Sequence, residues 1–253
     1  MNNFNINLFL LAFRFAKTEI KTKYRRSLMG PLWISVNMFI SIFALGFVFS
    51  NLFGVKMKDY LPYVFCGLFL WNYISQTITD SVNLYVNIAI KNYNFPVFFF
   101  PLKLTFLNLI IGFHNFFIYF FLVIFINSEI LNINFLYFLL SIPFYIINSF
   151  LISFSVGILS LRYRDLGQII LNSIYLIFLI TPVFWDPKIL SEKKFFIALF
   201  NPFYHFISIG REPLLGNPPL LASYFFVLLI TIINIFITFI VYKTNHSNKA
   251  FWI

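Results

Sequence analysis

The chain has 253 residues, of which 60% are hydrophobic and only 10% charged, against about 25% charged in soluble domains. That composition excludes a soluble globular enzyme and places the chain in a bilayer, while its single cysteine, Cys66, excludes an intramolecular disulfide and argues against a thiolate metal site. The formal net charge of +10 does not mark a nucleic-acid binder, because no basic run exceeds two residues and a membrane protein gathers positive charge in its cytoplasmic loops.

The first apolar run is broken by Arg14 and lacks a basic leader, so no cleaved signal peptide is expected. Residues 5–26 read instead as an amphipathic helix lying in the membrane interface. Ile6, Phe9, Phe13, Ala16, Ile20 and Tyr24 recur at spacings of three and four, with Arg14, Thr18, Lys21 and Arg25 on one flank. A basic flank that only sets topology is the plainer account of the same charges. Then comes Lys23-Tyr24-Arg25-Arg26-Ser27-Leu28-Met29-Gly30-Pro31-Leu32-Trp33. Gly30 tolerates unusual backbone angles and Pro31 suits a first helical turn, so the pair turns an in-plane helix into a vertical one. Arg25 and Arg26 remain at the corner among lipid phosphates, and Trp33 anchors the interface.

Six stretches are long enough to span a bilayer: residues 32–50, 61–79, 104–126, 135–161, 166–185 and 220–242. Pro62 falls in the first turn of the second, while Pro143 and Pro182 are expected to kink or interrupt the fourth and fifth. With the N-terminus inside, twelve Lys and Arg fall in cytoplasmic segments and six outside, so both termini are expected in the cytoplasm. Residues 80–103 form the longest internal cytoplasmic loop, with room for a short helix stopped by Phe95-Pro96; it is either a docking element for a soluble partner or an ordinary connector. His114 is the ionisable residue near the middle of a span, expected to stay neutral and bond a neighbouring helix. Arg162-Tyr163-Arg164-Asp165 makes a tight hairpin in which the arginines face one helix's negative end and Asp165 caps the next. Residues 186–219 are too apolar for a solvated loop and are split by Asn201-Pro202, which suits interfacial or re-entrant helices.

No phosphate-binding G-x-x-x-x-G-K-[ST] loop, H-E-x-x-H or G-x-S-x-G motif occurs, and no carboxylate falls within a span. The cytoplasmic parts, about 31, 24, 4 and 11 residues, are too short for an ATPase domain. Energy for any transport must come from another polypeptide.

These elements together resemble the membrane subunits of ABC type-2 exporters, in particular the polysaccharide and polyol-phosphate export permeases that serve O-antigen, capsule and teichoic acid. The resemblance rests on the block from Lys23 to Trp33, Phe95-Pro96, Arg162-Tyr163-Arg164-Asp165, Thr181-Pro182-Val183, and Asn201-Pro202 followed by Arg211 and Gly216, in order along nearly the whole chain. Pro213 departs from the pattern. What the resemblance implies is an all-α membrane protein with six transmembrane helices, an N-terminal interfacial helix and short external re-entrant helices, in a bacterial cytoplasmic membrane. It implies a homodimer, a separate ABC ATPase subunit holding ATP and magnesium, no cofactor in this chain, and a polyprenyl-linked glycan as substrate. Residues 5–26, with Lys23, Tyr24, Arg25, Arg26, Gly30, Pro31 and Trp33, would form a gate. Lys91, Asn92, Phe95 and Pro96, with Arg162, Arg164 and Asp165, would meet the ATPase, and Asn201, Pro202 and Arg211 would shape the external segment. A sugar polymer needs a path of aromatic faces and small polar groups, which Trp33, Asn37, Ser41, Trp71, Tyr73 and Tyr175 can supply. An ABC type-2 exporter of a small drug or lipid, and a non-transporting scaffold or scramblase, are the alternative readings.

Overall fold

The computed structural model describes residues 2–85, 95–125, 132–187 and 198–245. Among them there are eight α-helices and no strand: α1 (Asn2–Lys23), α2 (Leu32–Phe53), α3 (Met57–Val82), α4 (Phe99–Phe125), α5 (Phe135–Arg162), α6 (Arg164–Ile180), α7 (Pro202–Leu214) and α8 (Leu221–Asn245). Four of these, α2, α4, α5 and α8, are long and apolar enough to cross a membrane. α6 is too short at 17 residues, and the second half of α3 carries Asn72, Gln76, Thr77, Thr79, Asp80 and Ser81.

The polarity of α3 is explained by its position. It lies at the centre of the bundle, where Val64, Phe65, Cys66, Leu68 and Leu70 join residues of α2, α4, α5, α6, α7 and α8 in one core. Its polar groups turn inward with it. Asn108 of α4 donates to the Thr77 hydroxyl at 3.0 Å, and Thr77 lies 3.4 Å from Ser149 Oγ of α5. A second polar seam ties α5 to α8. Asn148 donates to Thr231 Oγ1 at 2.8 Å, Asn234 donates to Asn148 Oδ1 at 2.8 Å, and Ser155 and Thr238 pair at 2.9 Å. Hydroxyls and amides are the usual glue between helices where no hydrophobic effect separates helix from lipid, at about 0.6 kcal/mol each.

Several expectations about proline and caps are corrected. α3 begins at Met57, so Pro62 lies in its second turn rather than its first. α5 runs uninterrupted through Pro143. Pro182 lies beyond α6, which ends at Ile180, so it stops the helix instead of kinking it. Asp165 is the second residue of α6 and makes no cap; the cap position is Tyr163, without a side-chain bond. Arg164 opens α6, so only Arg162 sits at a negative helix end. His114 Nδ1 pairs with Ile110 O of its own helix at 2.8 Å rather than with a neighbour, while its carbonyl accepts from Ser35 Oγ of α2 at 2.6 Å. Its imidazole is satisfied locally, four residues back.

The end of the bundle that holds α7 is fastened by tyrosines. Tyr60 and Tyr63 of α3 donate to the Phe184 and Trp185 carbonyls, Tyr119 of α4 to Leu214 O, and Tyr145 of α5 to Phe206 O. Asn201 caps α7 by accepting from Phe203 N, and its amide donates to Thr181 Oγ1, each at 2.9 Å. Pro202 follows at the first helical position, where its missing N–H costs nothing. Pro213 sits in the last turn of α7.

A methyl added at Gly67 of α3 would overlap the Val183 carbonyl oxygen, so the Thr181-Pro182-Val183 turn seats on bare backbone. Gly67→Ala is expected to cost more than the ~1–3 kcal/mol of ordinary overpacking, seen as lost folded yield or a strongly lowered thermal midpoint. Gly46→Ala, whose methyl would meet only the flexible tip of Leu61, is expected to be mild. Equal effects of the two substitutions would contradict this seating.

Candidate functional site

α1 does not lie free beside the bundle; it packs chiefly against α4. The buried face is Leu8, Ala12, Ala16 and Ile20. This corrects the expected stripe: Ala16 and Ile20 belong to both, and Tyr24 packs at the edge of the buried face, but Phe9 is exposed and Phe13 sits half-exposed with its ring edge-on to Phe106 of α4. The reason is size: Ala12 and Ala16 let the two helix axes approach, whereas Phe at those positions would hold them apart. Leu8 and Ala12 meet Phe99 and Leu102, and Ala16 and Ile20 meet Leu104 and Leu107. One ion pair joins the helices, Lys103 Nζ to Glu19 Oε2 at 2.7 Å.

Docked in this way, α1 becomes one wall of a cavity of about 580 Å³ between α1, α2, α3 and α4. Its mouth carries Glu19 and Lys23 of α1, Asp80 and Asn83 of α3, and Lys103 of α4. Farther in stand Asn37, Met38 and Ser41 of α2, Asn72 and Gln76 of α3, and Leu107, Ile111 and Asn115 of α4. Lys103 and Asn115 are separated by twelve residues of helix, about 18 Å at 1.5 Å per residue. The cavity therefore runs from the α1 end to near the middle of the bundle.

Of the gate residues, Lys23 and Tyr24 line the cavity, and Arg25 and Arg26 are exposed at the corner after α1. The corner is a left-handed one. Arg26 has φ +74° and Gly30 φ +56°, with Pro31 directly before α2. A non-glycine residue at that angle is uncommon. Trp33 is exposed in the first turn of α2, away from the cavity lining. Asn37 and Ser41 are on its open side. Trp71 is buried against Phe178 and Phe203, and Tyr73 packs edge-on to Tyr145, while Tyr175 is exposed on α6.

Phe95 stacks on Phe99 at 4.3 Å and meets Phe15 of α1 edge-on, and Pro96 O accepts from Phe99 N to start α4. Lys91 and Asn92 lie outside the described residues. Arg162, Arg164 and Asp165 are exposed at the α1 end, where only Tyr163 separates α5 from α6. Arg211, at the opposite end, is buried. Its Nη1 donates to Tyr63 Oη at 2.7 Å and Pro182 O at 2.8 Å, its guanidinium lies 4.5 Å from the Tyr63 ring centroid, and Nε is 3.5 Å from Glu212. It joins α7 to α3 and to the turn after α6.

Sequence reasoning missed Glu19, Asn72, Gln76, Asp80, Lys103 and Asn115. The signal was there in part: Asn72, Gln76, Thr79 and Asp80 recur at helical spacing within one stretch of α3.

An exposed ion pair contributes ~0.2–1 kcal/mol, so the small apolar face, more than Glu19–Lys103, holds α1 in place. Ala12→Leu is therefore expected to expose Lys17 and Lys21 to trypsin in the solubilised protein, with Glu19→Gln changing cleavage far less. Equal cleavage of the two variants would reverse that ranking.

The family model described as ABC-2 type transporter matches residues 12–215. Among curated proteins, an O-antigen export system permease protein RfbA of Klebsiella pneumoniae is 27% identical over 239 residues, covering 88% of this chain and 87% of that one. A second protein of the same name and species is 26% identical over 211 residues, covering 81% and 80%.

Proposed function

Because this chain belongs to the ABC-2 type transporter family, we propose that it is the membrane-spanning subunit of an ATP-driven exporter that carries a polyprenyl-linked polysaccharide across a bacterial cytoplasmic membrane. It is a transport permease rather than an enzyme, homologous to O-antigen export permeases along most of its length. That likeness over four-fifths or more of both chains is the observation that carries the reading. O-antigen, capsule and teichoic-acid chains all fit the substrate class.

The family implies an ABC ATPase partner. In this reading ATP and magnesium bind there, and this chain holds no cofactor. Two copies of the chain form the path. In this reading α3, and α6 extended by the apolar residues 181–185, cross the bilayer beside α2, α4, α5 and α8, with both termini cytoplasmic. The low hydropathy of α3 is compatible with crossing, since its buried polar groups face protein, not lipid. α7 and the segment before it, including Asn201, Pro202 and Arg211, form the external re-entrant part. α1 with the corner from Lys23 to Trp33 gates the cytoplasmic side. The region of Lys91, Asn92, Phe95 and Pro96 meets the ATPase together with Arg162, Arg164 and Asp165. Exposure of Trp33, Asn37, Ser41 and Tyr175 supports a role along a path shared by two copies. Trp71 and Tyr73 act there only through the helices they pack.

Deleting the gene in its host is expected to abolish surface polymer and to accumulate lipid-linked glycan inside, both restored by a plasmid copy. Unchanged surface polymer without accumulation would overturn the reading. Replacing Arg25 and Arg26 together by Glu is expected to impair export or membrane insertion by repelling lipid phosphates. Full export by that variant, with unchanged topology, would remove the two arginines from the gate.

A further inference from the structure

The inner part of the α1-walled cavity differs chemically from its mouth. The charged groups, Glu19, Lys23, Asp80 and Lys103, all lie at the mouth, two of each sign. Deeper in, the polar side chains are uncharged: Asn72, Gln76 and Asn115. Asn115 is 94% buried by its 6% relative exposure, and its Oδ1 has no hydrogen-bond partner. Such an orphaned acceptor costs free energy unless something fills the space before it. Asn72 spends its amide on the thioether of Met38 at 3.2 Å, a weak acceptor, and so remains available for a better one.

We propose that this inner amide cluster is a binding subsite for an uncharged, hydroxyl-rich ring, a single sugar unit of the exported chain. The inference rests on the export reading above and adds the place and chemistry of recognition. Each carboxamide presents both donors and an acceptor, and each sugar hydroxyl both donates and accepts, so the two match without any fixed charge. Ile111, Leu107 and Met38 supply an apolar wall for the C–H faces of a ring. A volume of about 580 Å³ lies within the usual range for small-molecule sites, about 300–1,000 Å³, and has room for roughly 20 waters at ~30 Å³ each. A charged sugar is disfavoured at the inner end, where no counter-charge waits and desolvation is costly. The balanced mouth admits a linkage of either sign without holding it.

The experiment uses the full chain with its ATPase subunit in lipid nanodiscs and follows saturation-transfer NMR of methyl α-mannoside, methyl β-galactoside and the methyl glycoside of glucuronic acid. The neutral glycosides are expected to bind in the millimolar range and the acidic one more weakly. Asn115→Thr and Asn72→Thr should each weaken neutral binding about three- to ten-fold, while Phe117→Leu on the outer surface leaves it unchanged. Absence of neutral binding to the wild-type complex, or equal binding of the acidic glycoside, overturns the subsite even where the variants fail to fold. So does unaltered binding in folded Asn115→Thr. Surface polymer measured in the same strains separates the two claims: a complex that exports normally but binds no glycoside removes the subsite and leaves the export reading standing.

Discussion

The constraint on which everything else depends is that the outer surface of this bundle is apolar, so its polar side chains must be satisfied inside. Phe113, Phe117, Phe236 and Ile240 are exposed, while Asn108, Ser149, Asn148 and Thr231 are buried. The chain meets that constraint in two ways. Between α3, α4, α5 and α8 it pairs hydroxyls and amides directly, which fixes the rotation of each helix about its axis. Between α1, α2, α3 and α4 it leaves the polar groups around open space instead. The first arrangement holds a structure together. The second is available to a ligand.

The two ends of the bundle are held with unequal strength. At one end, four tyrosine hydroxyls, the Arg211 guanidinium and the bare backbone of Gly67 all converge on α7 and the turn before it. Each neutral hydrogen bond adds about 0.5–1.5 kcal/mol; those of Tyr119 and Tyr145 act on α7, and those of Tyr60 and Tyr63 on the stretch after α6. At the other end, α1 rests chiefly on α4 through two alanines, a leucine and an isoleucine, with one exposed ion pair. Conformational change is least costly where contacts are few. The fold thus places a helix that rests chiefly on one partner over the mouth of its polar cavity, and its densest set of side-chain hydrogen bonds to backbone at the far end.

Much of this was legible in the chain. The N-terminal helix, the turn at Gly30-Pro31 and the break at Asn201-Pro202 follow from local backbone chemistry, which short stretches encode. Helix ends at proline were less legible: Pro143 sits inside α5 and Pro62 inside α3, both within long apolar helices that continue past the lost hydrogen bond. The face of α1 was misjudged for a related reason. Hydrophobicity alone favours Phe9 and Phe13, but close approach to α4 selects Ala12 and Ala16, and that choice depends on a partner helix far along the chain. The cavity was the least legible, because its residues come from four helices, and of its lining Lys23 and Tyr24 were read as gate residues and Asn37 and Ser41 as channel residues, without the cavity that joins them.

The most direct measurement of the central claim, that water reaches a polar interior while the outer faces stay in lipid, is cysteine accessibility in sealed vesicles. With the buried native Cys66 replaced by alanine, single cysteines at Asn37, Gln76, Phe117 and Ile240 would be exposed to a membrane-impermeant thiol reagent. Labelling at Asn37 and Gln76 from the α1 side alone, with Phe117 and Ile240 silent, is the predicted result. Silence at Gln76 together with labelling at Phe117 would contradict the account.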